Sequence, residues 1–316
     1  MSEFTDTSTH ARLRPDFIMI GAEKSGSTFL MQRLIAHPQI FMPSPAATQF
    51  LLDPLYTAEW DELHALFENV PSGKIKGLRR NRYLREPKAA PFVRAHFPDA
   101  RLIVLLRHPL ARVISAYFQA MWLDLVPIEP LNRGLPKLLQ GAYDEPLAHQ
   151  LIIRDGLYYT NLSRYRDFFT RGQCLTLILD DFKTDAAQQM RAVYRFVGAA
   201  EDFTPQSLSS KENTGIYSLA RVRLRQAYRK RVYWRTPDGT QVHLLHQSFS
   251  QRAMAAFLRR IDRYLLAPFL KQPMPLLTSS LAQQLLEFYR PEVEQLEALL
   301  NRRLDAWKVW QAPTLD

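Results

Sequence analysis

Along this 316-residue chain, short apolar runs alternate with amphipathic stretches. The clearest runs, residues 17–20 and 102–106, are long enough for a strand and too short for a helix that spans a membrane. Between Phe29 and Ile35 the apolar residues have helical spacing, and Pro38 ends the pattern. Strands separated by helices are typical of βαβ units, so the sequence predicts an α/β fold. We expect a three-layer arrangement of a parallel sheet flanked by helices, with a helical C-terminal elaboration.

A glycine-containing turn follows the first apolar run. Gly21 and Gly26 have the spacing of a Walker A loop, but that loop places its lysine after the second glycine, whereas this chain has Lys24. Such a turn points backbone N–H groups and the positive end of the next helix at one anion, and Lys24 adds a mobile charge. The alternative is a plain turn that needs glycine only for its backbone. We expect a phosphate or phosphosulfate to be bound by Lys24, Ser25, Gly26, Ser27 and Thr28.

The second apolar run is followed by Arg107, and then by a helix that Pro109 opens. Open parallel sheets bind ligands at the carboxyl ends of their strands, which is where this pattern puts Arg107. A guanidinium group holds a phosphate through two parallel hydrogen bonds, and Ser115, two turns into the helix, adds a hydroxyl donor. The alternative for Arg107 is a surface ion pair. The sequence thus predicts two separate anion sites on two strand ends.

Composition restricts the class of protein. The chain has 41 basic and 31 acidic residues, a formal charge of +10 that favours anionic partners. No linker divides it, which predicts a single domain over residues 1–316 with a flexible N-terminal segment, 1–14. No signal peptide or apolar stretch of membrane-spanning length is visible, so we expect a cytoplasmic protein without a transmembrane segment. Cys174 is the single cysteine, which rules out an internal disulfide, and no metal site is expected.

The two anion motifs, in this order, resemble those of the sulfotransferases that use 3′-phosphoadenosine 5′-phosphosulfate (PAPS), especially the bacterial and Golgi-type branch. The resemblance covers most of the chain and implies a P-loop NTPase-like fold, PAPS as donor, 3′-phosphoadenosine 5′-phosphate (PAP) as product, and no metal. It implies that residues 21–28 bind the 5′-phosphosulfate, with Lys24 offsetting charge on the departing bisphosphate. It implies further that the donor is held by Arg107, Ser115, Tyr158 and Lys211. Other segments that match are 156–159, 177–182, 193–198 and 289–291.

One segment departs from the family pattern. Members of this branch commonly have P-S-x-K-E-x-x-F-F, whose glutamate removes the acceptor proton, whereas residues 43–51 of this chain read PSPAATQFL. Ala46 and Ala47 therefore replace the Lys-Glu pair, and alanine cannot accept a proton. Three explanations stay open: another base acts, the acceptor is acidic enough to need none, or the pair was replaced in a variant. By side-chain chemistry, His149 is the candidate for another base.

Other charged patterns allow both functional and structural interpretations. The carboxylates at 180–181 follow an apolar strand as in a magnesium site, but we favour a structural role, the capping of a helix by a carboxylate before Lys183. The arginines within 79–82 suggest an acceptor with an anionic group or, nearly as well, a surface run. The basic run within 221–231 favours a solvated helix, a substrate-facing wall or a membrane-surface contact over nucleic-acid binding.

The sequence thus predicts an enzyme that moves a sulfonate from PAPS to a hydroxyl or amine of a small molecule, lipid or glycan. Its expected partners are donor and acceptor, with no nucleic acid and at most a weak membrane-surface contact; its oligomeric state is open. Two alternatives remain. A catalytically silent homologue would bind PAP or PAPS without transferring sulfonate, and a P-loop nucleotide kinase would need magnesium and a lysine after Gly26.

Overall fold

The computed structural model describes residues 14–44, 65–143, 146–205, 215–235, 242–244, 249–270 and 272–310. The first elements in chain order are β1 (Phe17–Gly21), α1 (Ser27–Ala36), β2 (Ile40–Phe41), β3 (Ile75–Arg79), α2 (Ala89–His96), β4 (Arg101–Leu106), α3 (Pro109–Trp122), α4 (Leu131–Leu139), α5 (Pro146–Ile152), α6 (Tyr158–Arg166), β5 (Cys174–Ile178) and α7 (Leu179–Val197). They are followed by α8 (Leu219–Val232), β6 (Tyr233–Arg235), β7 (Val242–Leu244), α9 (Phe249–Arg260), a π-helix (Ile261–Leu266), α10 (Ala267–Phe269) and α11 (Ser279–Leu300).

The described residues form two compact units. The first lies within Met1–Arg107 and Tyr158–Asn213, and the second within His108–Leu157 and Thr214–Asp316. The interpretation of residues 1–316 as a single domain stays a prediction.

The first unit is built on a five-stranded sheet in the order β2-β3-β1-β4-β5, in which all neighbouring strands are parallel. Phe17 and Met19 pack with Ile103 on one face, in a core that α1 and α7 complete. Ile18 and Leu102, which point to the opposite face, are also fully buried. Strands buried on both faces explain why these runs are continuously apolar. The predicted α/β class and parallel sheet are confirmed.

The strand order indicates at which edge of this sheet a ligand is expected to bind. β1 has β3 on one side and β4 on the other, so the order of strands along the chain reverses across β1. In open α/β sheets the crevice beyond the carboxyl ends at such a reversal is where ligands bind. The turn after Gly21, the residues after Arg79 and the residue Arg107 all lie at this edge because they follow β1, β3 and β4.

Among the described residues of the second unit, the regular elements are helices apart from the antiparallel pair β6-β7. Its core centres on α3, whose residues are apolar nearly all round and almost all buried. Val113 and Tyr117 of α3 pack in one cluster with Leu285 and Tyr289 of α11. The expected helical C-terminal elaboration is therefore present. None of the helices in the described part of the chain is long and apolar enough to cross a bilayer.

Candidate active site

The turn between β1 and α1 has two residues in the left-handed backbone region. Gly26, the N-cap of α1, has φ of 93°, which favours glycine, and a Cβ at this position would lie 2.9 Å from Leu179 Cδ1. Lys24 has φ of 66°, a conformation that costs a residue with a side chain about 1–2 kcal/mol. Such backbone conformations occur often at functional sites, which makes this turn a candidate for one.

The start of α1 is arranged to receive an anion. The N-cap residue makes no side-chain capping bond, and the first turn of α1 has no acidic residue. The first N–H groups of a helix have no partner within the helix, and together with the helix dipole they favour negative charge. The hydroxyl of Ser25 is fully buried beside this start and has no hydrogen-bond partner among the described residues. An oxygen of a bound phosphate or phosphosulfate would satisfy it.

The strand β3 adds polar side chains to this turn. Arg79 Nη1 donates to Thr28 Oγ1 at 3.0 Å, and Asn81 Nδ2 donates to Ser27 Oγ at 2.7 Å. Burial lowers the pKa of Arg79, and the carboxylate of Glu23 partly opposes that shift. The guanidinium of Arg79 therefore belongs to the turn rather than to a surface run, and Asn81 is a site residue that the sequence did not single out.

Arg107 lies beside the same turn. Its Nη1 donates to the backbone carbonyl of Lys24 at 3.4 Å, and the backbone N–H of Ala22 donates to the carbonyl of Leu105 at 2.9 Å. Tyr158 OH donates to the carbonyl of Arg107 at 2.9 Å. Three residues that the sequence analysis assigned to the donor site, Lys24, Arg107 and Tyr158, are thus brought together.

The acidic residue of the turn is paired. Glu23 Oε2 lies 3.2 Å from Arg85 Nη1, and both side chains are largely buried. Arg85 is held in turn, since its carbonyl accepts a 3.1 Å hydrogen bond from Arg164 Nη1. Because Glu23 is paired in this way, Lys24, Arg79 and Arg107 give the turn an excess of positive charge.

In the second unit, Ser115 lies on α3 and is 7% exposed. The start of α3 is fixed by His108, whose Nδ1 accepts from the N–H of Leu110 at 3.2 Å and whose Nε2 lies 3.0 Å from the carbonyl oxygen of Val309. His108 therefore caps the helix that carries Ser115.

His149, also in the second unit, is half-buried on α5. Burial and, secondarily, the positive charge of Arg154 lower its pKa. At neutral pH the imidazole is therefore uncharged and has a nitrogen that can accept a proton. The end of α5 is anchored by the buried Arg112, which donates to the carbonyls of Leu151 (2.8 Å) and Ile152.

Three residues that the sequence relates to the site lie outside the described residues: Ala46, Ala47 and Lys211. The carboxylates at 180–181 fall in the first turn of α7, where Asp180 pairs with Lys183 at 2.6 Å and no side chain caps the helix. The predicted carboxylate cap is therefore wrong, and the carboxylate of Asp180 forms an exposed ion pair instead. In the described ranges no three His, Cys, Asp or Glu side chains are grouped as metal ligands.

The family model described as "Sulfotransferase domain" matches residues 14–215, which include the turn, Arg107 and Tyr158. Among similar proteins are the membrane-associated sulfotransferase kil1 of Dictyostelium discoideum, 33% identical over 41% of this chain and 28% of that protein, and heparan sulfate glucosamine 3-O-sulfotransferase 3B1 of Mus musculus, 26% identical over 65% of this chain and 51% of that protein. Each alignment thus covers about half or less of the relative's own length.

A sulfotransferase structure from Alicyclobacillus acidocaldarius superposes with a TM-score of 0.61, at 23% identity, over 94% of this chain and 99% of that one. The likeness is one of fold.

Proposed function

Because the chain belongs to the family defined by the sulfotransferase domain, we propose that it transfers a sulfonate group from PAPS to a hydroxyl or amine of an acceptor. The observation that carries the proposal is the buried, unpartnered hydroxyl of Ser25 at the uncapped start of α1. A buried polar group is normally hydrogen-bonded, and an anionic ligand at the helix start supplies the missing partner.

In this proposal the turn and Arg107 divide the donor between them. The N–H groups at the start of α1, with Ser25, Ser27 and Thr28, hold the 5′-phosphosulfate. The guanidinium of Arg107 holds the 3′-phosphate through charge-assisted hydrogen bonds, and Ser115 keeps the role in binding the donor that the family resemblance gives it. Tyr158 acts through the backbone of Arg107, and Lys211, which lies outside the described residues, stays a predicted donor contact. No metal is needed, because cationic side chains offset the charge of the donor.

Sulfonate transfer breaks the bond between sulfur and the bridging phosphate oxygen and forms one between sulfur and the acceptor oxygen or nitrogen. Negative charge builds on the departing PAP, and the ammonium group of Lys24 offsets it. The acceptor loses a proton to a base, for which His149 is the candidate since its lowered pKa leaves it neutral at pH 7. Arg79, tied to Thr28, adds a second fixed positive charge at the turn.

The name of one relative bears on the class of acceptor. One relative is named for heparan sulfate glucosamine, which favours a glycan acceptor over a small molecule or lipid. The location of the protein in the cytoplasm stays a prediction, and another relative is named as membrane-associated.

Isothermal titration of the full chain with PAP tests donor binding. We expect heat of binding at micromolar ligand, and a loss of affinity of about 10–100-fold in Arg107→Ala, since a hydrogen bond between charged groups contributes about 1.5–3 kcal/mol. Arg166→Ala, on an exposed arginine of the same unit, is the matched control and should bind normally. No heat from the unaltered chain at high micromolar PAP would overturn the proposal.

Radiolabelled PAPS with a panel of glycan, lipid and phenolic acceptors tests transfer. Lys24→Ala should lower turnover by about 10²–10³-fold and PAP affinity much less, because its charge acts on the departing group. Lys183 forms an exposed ion pair with Asp180. Lys183→Ala is the control and should leave turnover unchanged. Equal turnover in Lys24→Ala would remove the role given to Lys24.

A catalytically silent homologue is the second candidate, and Ala47 is the observation that favours it. Such a protein would bind PAP as above and transfer no sulfonate to any acceptor. The family match favours sulfonate over phosphoryl transfer, so a nucleotide kinase has no observation of its own in support.

A further inference from the structure

The segment from α9 to α10 exposes large apolar side chains. Met254, Phe257, Leu265 and Phe269 are 47%, 57%, 59% and 81% exposed, and Tyr264 is exposed as well. Five of the ten large apolar side chains that are exposed in the described part of the chain thus lie between 254 and 269. The other five are scattered: Ile35, Phe168, Leu276, Phe288 and Val309. Single exposed apolar residues are normal, whereas a concentration of this kind marks an interaction surface.

Four of these residues form one stripe, which we call the apolar stripe: Met254, Phe257, Leu265 and Phe269. They are separated by three, eight and four residues, intervals that return to the same helix face. Asp262, in the π-helix between them, is turned away from solvent and is 8% exposed. The segment therefore exposes these four apolar side chains while it buries its one acid, which is unusual for a surface helix.

The buried acid is neutralised from the neighbouring helix. Asp262 Oδ1 lies 2.7 Å from Arg221 Nε, and its Oδ2 lies 3.2 Å from Arg225 Nη2, both on α8. These two arginines of the basic run are thus structural. The attraction fixes the π-helix with Asp262 inward, and this holds the apolar stripe outward.

The charge of the segment indicates the partner. Residues 249–271 contain one acid, Asp262, which is already paired, and five basic residues: Arg252, Arg259, Arg260, Arg263 and Lys271. A helix that combines exposed Phe, Leu and Met with excess basic residues is typical of segments that lie in the interface of an anionic bilayer.

We propose that the apolar stripe docks this protein on an anionic lipid surface. The stripe enters the boundary between headgroups and acyl chains, and the excess positive charge of residues 249–271, which includes the exposed Arg260, attracts the anionic headgroups. A second copy of the chain is a poorer occupant, because a symmetric contact would bring two basic segments together on chains that each carry a charge of +10. None of the four residues of the apolar stripe has a role in the proposed function.

Vesicle flotation of the full chain tests the proposal. Vesicles of phosphatidylcholine with about one third phosphatidylglycerol should bind the protein, and pure phosphatidylcholine should bind it at least about tenfold more weakly. The variant F257S/L265S/F269S should lower binding to the anionic vesicles by at least about tenfold, and Arg260→Glu, on an exposed residue, should also weaken it. The matched control is I35S/F168S/F288S, which changes three exposed apolar residues outside the stripe and should bind like the unaltered chain.

Circular dichroism and thermal unfolding check that each variant is folded. If the unaltered chain fails to float with anionic vesicles, or if F257S/L265S/F269S floats equally well, the proposal is wrong. Sedimentation that reveals a dimer lost in F257S/L265S/F269S, without vesicle binding, would instead identify the stripe as a contact between copies and would also overturn it.

Discussion

The phenolic hydroxyl of Tyr158 donates a 2.9 Å hydrogen bond to the backbone carbonyl of Arg107, the residue that directly follows β4. Tyr158 is 1% exposed, so its hydroxyl is committed to the main chain. The bond fixes the backbone from which the Arg107 guanidinium extends toward the carbonyl of Lys24. Tyr158 thereby acts on the donor site as a positioning residue.

Tyr158→Phe should therefore lower both stability and donor affinity. Loss of the hydroxyl leaves a carbonyl without its partner, at a cost of about 1–2 kcal/mol in the free energy of unfolding. PAP affinity should fall about three- to tenfold because Arg107 is less well placed. Urea unfolding and calorimetric titration measure the two effects. Tyr159→Phe, on the half-buried neighbour, should change neither; unchanged PAP affinity in Tyr158→Phe would contradict the positioning role.

Ser25→Ala should lower the affinity for PAP without lowering the stability of the free protein. In the free protein the Ser25 hydroxyl is buried without a partner among the described residues, so its removal should leave the free energy of unfolding unchanged or raise it by about 1 kcal/mol. PAP affinity should nevertheless fall about 5–20-fold, because an oxygen of the ligand loses its donor. A loss of PAP affinity without a loss of stability is the signature of a group kept for a ligand.

Ser27→Ala is the comparison for Ser25→Ala. Ser27 Oγ accepts a 2.7 Å hydrogen bond from Asn81, so its loss should destabilise the protein even without ligand. If Ser25→Ala also destabilised the free protein by more than about 1 kcal/mol, the hydroxyl would have a structural partner after all.

The sequence predicted those features of the fold and the site that are determined by residues close together along the chain. The spacing of Gly21 and Gly26 predicted the turn, and the apolar runs predicted β1 and β4 with Arg107 directly after β4. These features are local: a strand, a left-handed glycine and a helix start are decided within about ten residues.

The contacts that the sequence did not predict depend on which strands become neighbours in the sheet. Arg79 and Asn81 reach Thr28 and Ser27 only because β3 pairs with β1, some fifty residues away along the chain. A single sequence gives no measure of that pairing. The inward turn of Asp262 depends likewise on the packing of α8 against the π-helix, so the apolar stripe could not be recognised from the sequence of residues 249–270.

The pKa of His149 is lowered by burial and, less strongly, by Arg154. In the unfolded chain the imidazole has its ordinary pKa of 6.5. It is therefore protonated at a higher pH in the unfolded chain than in the folded chain. The unfolded state then binds more protons, so stability should fall as pH drops below about 6.5 toward the lowered folded value. His149→Gln should flatten that fall, as urea unfolding at pH 8 and at pH 5.5 would reveal; an identical pH dependence would contradict the shift.

Turnover distinguishes a base from a buried histidine. If His149 is the base, His149→Gln should lower kcat by about 10²–10⁴-fold. His96→Gln is the matched control, since burial and then Arg14 lower the pKa of His96 in the same direction and the site does not use it. It should alter the pH dependence of stability and leave kcat unchanged. Equal kcat in His149→Gln would remove the proposed base.

Restoring the family's residue pair is the test that separates the three explanations for Ala46 and Ala47. If these alanines mark a lost base, the double substitution Ala46→Lys and Ala47→Glu should raise turnover with labelled PAPS by about 10²–10⁴-fold, because a positioned carboxylate contributes that much as a general base. If His149 serves instead, restoration should change turnover little in the unaltered background and rescue His149→Gln. If the acceptor needs no base, neither change should matter. Ala46→Lys alone is the control, since it adds the charge without a proton acceptor.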